Sequence, residues 1–248
     1  MSSNVKPKTK KKKEKEKKIS NFYYDFVKVT AFFPTIIFYR PKTICVGKTN
    51  PTKIKGAGLI SCNHISFADP IYLHCAFWRR RLRMLATKDL YNTKLKTWFF
   101  NHMQCIIVDK ENFSMRSLHA VCDSLKKGKL VTIFPEGGVN RQDSHQMLSF
   151  KSGAALMAFQ SNAPIIPACV IPRKHWIHRQ VVLVGDPVNI RDLCGDKPSM
   201  ADLNKASEYL REKEMELLAY YDDLQAKKQE KKNKKKSKKE KTYVQIQP

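Results

Sequence analysis

From Thr43 onward the chain alternates short apolar runs with longer stretches in which apolar residues recur at helical spacing, and polar or glycine-bearing turns separate the two. The apolar runs predict strands at 43–46, 59–62, 83–86, 105–108, 130–134, 165–171 and 180–184. The intervening stretches predict helices at 70–78, 90–100, 114–127 and 150–160, with Gly128 ending the third. A last helix, 201 to about 227, carries Leu203, Leu210, Leu217 and Leu218 on one face before the sequence turns to lysine. No internal repeat is visible. This rhythm is that of an α/β domain, a single one, with a largely parallel or mixed central sheet flanked by helices.

The segment before the domain follows a different pattern. Between Phe22 and Arg40 the chain is rich in aromatics and is interrupted by Asp25, Lys28 and Pro34. It lacks the small-residue cleavage site of a signal peptide, and it is short of the roughly 20 apolar residues a spanning helix needs. An interfacial helix fits this composition, lying in the membrane surface with its aromatics at headgroup depth and a kink at Pro34. The alternative is a helix packed on the protein's own core. The chain therefore divides into a basic tail (1–20), an interfacial helical segment (21–42), the α/β domain (43–226) and a second basic tail (227–248).

Charge sharpens that division. The chain has 248 residues, 42% of them hydrophobic, enough for one sizeable core. Its formal charge of +25 is concentrated at the ends: residues 1–18 hold nine Lys and two Glu, and 227–241 hold ten Lys and two Glu. Runs of like charge repel themselves and bury nothing, so both tails are predicted to be disordered, with an anionic surface as partner. Lysine without arginine or interleaved aromatics offers neither bidentate readout nor base stacking, so no nucleic acid is expected. An anionic bilayer requires only point charges near it; a solubilising tail with no specific partner is the plainer alternative. Seven cysteines, none in a Cys-x-x-Cys pair, indicate a reducing compartment and no zinc site.

Candidate chemistry lies in two loops at predicted strand ends, where open α/β sheets keep their sites. The first is Asn63-His64-Ile65-Ser66-Phe67-Ala68-Asp69. Imidazole titrates near working pH, so His64 is a candidate general base, with Asp69 able to hold its other ring nitrogen. Asp69 also precedes Pro70, and Asp at an N-cap followed by Pro is an ordinary helix start; one carboxylate could serve both purposes. The second loop is Phe134-Pro135-Glu136-Gly137-Gly138, in which Glu136 could bond a substrate hydroxyl or hold the loop. Lys151 stands at a predicted helix start, where the helix dipole disfavours a cation unless an anion binds there. Trp98, Phe99 and Phe100 could line an apolar tunnel or simply belong to the core.

Taken together, these segments resemble the glycerolipid acyltransferase family, whose best-known members are the lysophosphatidic acid acyltransferases. Four family blocks can be traced in order over roughly residues 60–171. The first, Asn-His followed by four residues and Asp, is matched in full by Asn63, His64 and Asp69. The third, Phe-Pro-Glu-Gly, is Phe134 to Gly137, and the fourth is the apolar strand around Pro167. Phe150-Lys151-Ser152-Gly153 also resembles the family's Phe-Lys-x-Gly. The second block departs: 104–110 lacks the family's glycine and aromatic and ends in Lys110 rather than Arg. After Phe-Pro-Glu-Gly the family continues Thr-Arg-Ser, whereas this chain reads Gly138-Val139-Asn140, with its next base at Arg141.

The resemblance implies an acyltransferase at the cytoplasmic face of a membrane, peripheral or monotopic, with no metal or bound cofactor. Its donor is acyl-CoA or acyl carrier protein, and its acceptor is the sn-2 hydroxyl of 1-acyl-sn-glycerol 3-phosphate, giving phosphatidic acid. It implies His64 as base and Asp69 as its orienting acid, with Glu136 and Gly137 near the glycerol and Lys110, Arg141 and Lys151 around the acceptor phosphate. The substituted arginines leave room for another lysophospholipid or an amino-acid-based lysolipid. A rival of a different class is a non-catalytic basic protein that binds membranes or nucleic acid.

Overall fold

Residues 8–109, 115–140, 146–173, 175 and 177–244 are described by a computed structural model of the chain. Its strands are β1 (Lys42–Cys45), β2 (Gly58–Cys62), β3 (Leu82–Thr87), β4 (Ile106–Val108), β5 (Leu130–Ile133), β6 (Ile165–Ile171) and β7 (Val181–Val184). They form one seven-stranded sheet in the order β1-β7-β6-β2-β5-β3-β4. All neighbours are parallel except β6 and β7. The sheet is therefore mixed and the domain α/β, as the alternating pattern predicts. Strands β2 and β5 are buried throughout, which is why they read as unbroken apolar runs rather than as alternating ones.

Proline in an interior strand normally argues against the strand, yet Pro167 lies inside β6. Its carbonyl accepts from Gly185 N at 2.9 Å, just beyond the last rung of the β6–β7 ladder. Backbone N and O of one residue face the same neighbour in such a rung, so the missing N–H faces β7 and the pairing with β2 loses nothing. The two chains approach closely here: a Cβ on Gly185 would stand 3.0 Å from Pro167 Cγ and 3.2 Å from Leu217 Cδ2.

Helices cover both faces: α1 (Lys8–Tyr39), α2 (Asp69–Ala76), α3 (Lys94–His102), α4 (Met115–Lys126), α5 (Gly153–Ser161), α6 (Ile190–Cys194) and α7 (Met200–Val244). On one face Leu59, Val131 and Ile165 meet α4, α5 and α7; on the other Ile60, Leu130 and Ile166 meet α2. Helix α7 starts in a capping box, with Ser199 N donating to Asp202 Oδ2 (2.9 Å) and Asp202 N to Ser199 Oγ (3.2 Å).

Several boundaries differ from expectation. The helix predicted at 90–100 is divided: a 3-10 turn covers Lys88–Tyr91, and Thr93 then caps α3 by accepting from Lys96 N at 3.2 Å. The helix predicted from residue 150 begins at Gly153, and the short α6 has no counterpart in the sequence pattern. Helix runs into both lysine-rich segments, from Lys8 in α1 and as far as Val244 in α7, where charge density alone predicts disorder. Lysine and glutamate are good helix formers, so a run of them need not end a helix already begun.

Helix α1 attaches to the body through the polar residues that interrupt its apolar run. Asp25 pairs with both Nε and Nη2 of Arg81, and Lys28 Nζ donates to the carbonyls of Trp78 and Arg80. Buried Tyr24 accepts from Leu82 N at 2.8 Å and contacts His74 Nε2 at 2.8 Å. The opposite face, with Phe22, Phe26, Val29, Phe33 and Ile37, is exposed. One side of the helix thus packs on the protein while an apolar stripe at helical spacing faces outward. Among the described residues, no helix is long and apolar enough to cross a membrane.

Candidate active site

Parallel pairing of β2 with β5 sets Ser61 opposite Ile133, so the chain leaves both strands at the same edge. His64 lies three residues past Ser61 and Glu136 three past Ile133, and the two loops meet. Glu136 bridges them: Oε1 accepts from His64 N and Oε2 from Leu148 N, each at 3.1 Å. Each of its oxygens accepts from one backbone amide, so Glu136 holds the loop and keeps acceptor capacity for a substrate hydroxyl. Asn140 N returns a bond to the His64 carbonyl at 2.7 Å. Beneath them Asn63 exchanges hydrogen bonds with the Val170 backbone, donating at 3.1 Å and accepting at 2.7 Å, which ties the exit of β2 to β6.

His64 Nδ1 lies 2.8 Å from Asp69 Oδ2, and that same oxygen accepts from the amides of Ile65 and Ser66, each at 2.8 Å. An oxygen taking two N–H donors is an acceptor, so Nδ1 is the donor to it, and in the neutral ring this tautomer puts the lone pair on Nε2. Asp69 is fully buried and its side chain makes no cap bond to α2, whose N-cap is Ala68. Its carboxylate folds back on the loop, so the capping alternative does not hold. The His64 side chain keeps 16% of its surface exposed. Its ring stacks on Phe134, with centroids 4.1 Å apart and planes 18° apart.

Phe134 also lines an apolar cavity of about 340 Å³, enclosed by Val27 and Phe32 of α1, Ile71 of α2 and Phe99 and Phe100 of α3. That volume falls in the usual small-molecule range of about 300–1,000 Å³. Phe99 and Phe100 thus belong to a cavity wall, whereas Trp98 stacks edge-on against Tyr23 at 4.7 Å, outside it. Phe67, within the His64–Asp69 loop, also lines the cavity and is 71% exposed.

Gly137 has φ of +73°, and a Cβ there would lie 2.9 Å from Lys151 Cε and 3.0 Å from Nζ. The positive φ of the turn favours glycine, and the mobile end of the Lys151 side chain lies over it. Lys151 stands two residues before α5, its amide bonded to Pro135 O at 3.1 Å. The structure thus brings together His64, Asp69, Glu136, Gly137 and Lys151; Lys110 and Arg141 lie outside the described residues. Sequence spacing did not single out Phe134 as the ring under His64 or Asn63 as a strand clasp. The signal available for Asn63 was its position between an apolar strand and His64.

Comparison with known proteins bears on this arrangement. The family model named Acyltransferase matches residues 42–171, more than half of the chain. The chain belongs to the Acyltransferase family. The matched stretch of this acyltransferase chain runs from the start of β1 to the end of β6 and holds His64, Asp69, Glu136, Gly137 and Lys151. A Mycoplasma pneumoniae protein named probable 1-acyl-sn-glycerol-3-phosphate acyltransferase is 31% identical over 145 residues, covering 54% of this chain and 52% of its own. A Streptococcus pneumoniae 1-acyl-sn-glycerol-3-phosphate acyltransferase is 26% identical over 136 residues, 52% of this chain and 49% of its own. The chain spans about half the length of these curated relatives. The crystal structure of the 1-acyl-sn-glycerophosphate (LPA) acyltransferase PlsC from Thermotoga maritima shares the fold, with a TM-score of 0.57 at 19% identity over 82% of this chain and 83% of that one.

Proposed function

We propose that this acyltransferase moves a fatty acyl group from acyl-CoA or acyl carrier protein to the sn-2 hydroxyl of 1-acyl-sn-glycerol 3-phosphate at the cytoplasmic face of a membrane, giving phosphatidic acid. The observation that carries the proposal is the His64–Asp69 pair, joined at 2.8 Å, beside an apolar cavity that shares the Phe134 ring with it. The names of the curated relatives support the choice of acceptor.

Nε2 takes the proton of the acceptor hydroxyl as its oxygen attacks the thioester carbonyl, so no enzyme nucleophile is needed. The buried Asp69 carboxylate stabilises the imidazolium that forms. The tetrahedral intermediate collapses, its carbon–sulfur bond breaks, and Nε2 passes its proton to the leaving sulfur, which departs as the thiol and restores the base. The cavity is the candidate seat of an acyl chain, and the Lys151 ammonium over Gly137 that of the acceptor phosphate. The outward apolar stripe of α1 and the lysine-rich segments would hold the site against an anionic leaflet. A different lysolipid acceptor is the second reading, favoured by Val139 standing where the family carries arginine.

The test is acyl transfer in mixed micelles by wild type and His64→Ala, with labelled donors against a panel of lysolipids. The expected result is strongest labelling of 1-acyl-sn-glycerol 3-phosphate and a loss of about a hundredfold or more in the variant. His64-dependent transfer to another lysolipid alone would establish the second reading. A wild type with no His64-dependent transfer would leave a non-catalytic basic binding protein as the better account.

A further inference from the structure

Helix α7 presents a buried stripe to the sheet, made of Leu203, Ala206, Ser207, Leu210, Glu214, Leu217 and Leu218. The carboxyl of Glu214 is out of place in it. Its residue is 0% exposed, yet it sits where leucine fills the neighbouring turns. Oε1 accepts from Ser61 Oγ at 2.6 Å, Oε2 has no hydrogen-bond partner among the described residues, and the Glu214 backbone carbonyl lies 3.2 Å from Cys169 Sγ.

We propose that Glu214 is a positioning residue for His64, tying α7 to the end of β2 from which the catalytic loop departs. Four consecutive residues of that exit carry three clasps, each from a different element. Ser61 is held by Glu214 of α7, Asn63 by the backbone of β6, and His64 by Glu136 of the loop after β5. The α7 clasp is the only one of the three that comes from outside the sheet and its loops. A group needed only to fill space there would be served by leucine, as at Leu210 and Leu217.

The surroundings of the Glu214 carboxyl disfavour its charge. Burial pushes its pKa well above the ordinary range, and the Ser61 hydroxyl and Asn63 amide oppose this only in part. The ionisable groups around it are the thiols of Cys62 on β2 and Cys169 on β6 and the carboxyl of Glu136, all acidic, and burial pushes both thiols up as well. No cation among the described residues neutralises it. A shift in that direction favours the acid form, in which the carboxyl can still accept from Ser61.

The inference rests on His64 as the base, and its test has one arm that does not. In full-length protein, Glu214→Gln and Glu214→Leu are compared with wild type for melting temperature, kcat, KM and pH–rate profile in mixed micelles. The His64 imidazole is also followed by NMR titration in histidine-labelled protein. Gln, neutral and able to accept from Ser61, is expected to restore kcat to within about threefold of wild type, with the same pH profile and His64 titration. Leu, which leaves the Ser61 hydroxyl unpaired, is expected to stay folded by its melting curve, to lose about tenfold to a hundredfold in kcat at unchanged KM, and to alter the His64 titration. A Leu variant with wild-type kcat and an unmoved His64 resonance would overturn the proposal. So would a Gln variant as impaired as Leu, since the charge would then be the active feature. Should wild type show no His64-dependent transfer, the catalytic reading falls, and the NMR arm still decides whether Glu214 sets the His64 ring.

Discussion

Asp69 concentrates three donors on one oxygen: the imidazole Nδ1–H and two amides of its own loop. Charge on that oxygen is therefore matched by fixed dipoles before any substrate arrives, which is the preorganisation a forming imidazolium requires. An amide in its place can still receive the loop but cannot offset the positive ring. Asp69→Asn is expected to lower kcat by about a hundredfold or more while KM changes little. Steady-state rates in mixed micelles, with a melting curve to confirm that the variant folds, check this outcome. An Asn variant with wild-type kcat would leave Asp69 a loop brace only.

At the scale of elements, α1 is fastened by Tyr24, Asp25 and Lys28 and roofs the apolar cavity with its next turns. The Tyr24 hydroxyl faces His74, whose pKa burial lowers from 6.5 to about 4. An unfolded chain takes up this proton as pH falls below about 6.5, and the folded chain resists it until about 4. The contribution to stability is thus full above the upper value and is lost across that window, by about 3 kcal/mol. The melting temperature of wild type should fall more between those two pH values than that of His74→Gln, which cannot titrate there; parallel curves would count against a buried neutral His74.

Elements that a local pattern determines were legible. Strand β6 has the bounds its apolar run predicts, because burial on both faces leaves an uninterrupted signature. The boundary before α3 was not, since the apolar run continues past Thr93 and only the capping bond marks the break. At the site, spacing pointed to His64, Asp69 and Glu136, but not to the amides that Asp69 and Glu136 hold. Leu148 N lies 12 positions beyond Glu136 and His64 N lies 72 before it, and such pairings are set by how strands are ordered in the sheet. Glu214 was visible only as a polar break in a leucine stripe.

At the scale of the whole molecule, the chain carries +25, with most of the excess in lysine-rich ends, and an apolar stripe along α1. On the proposed reading the two act in sequence, charge drawing the protein to an anionic leaflet and the stripe seating it there. Raising salt from about 0.1 to 1 M shortens the screening length from about 10 to 3 Å. Sedimentation with anionic vesicles should therefore weaken with salt, and most in protein whose lysines at 227–241 are replaced by glutamine. Salt-independent sedimentation would assign the attachment to the apolar stripe alone. Phe67 then has a kinetic consequence, because this exposed ring sits inside the very loop that holds His64 and Asp69. Seated in lipid, the loop meets acceptors by lateral diffusion, so turnover follows their mole fraction in the surface. Inert lipid added at constant total acceptor would slow the reaction as though substrate had been removed.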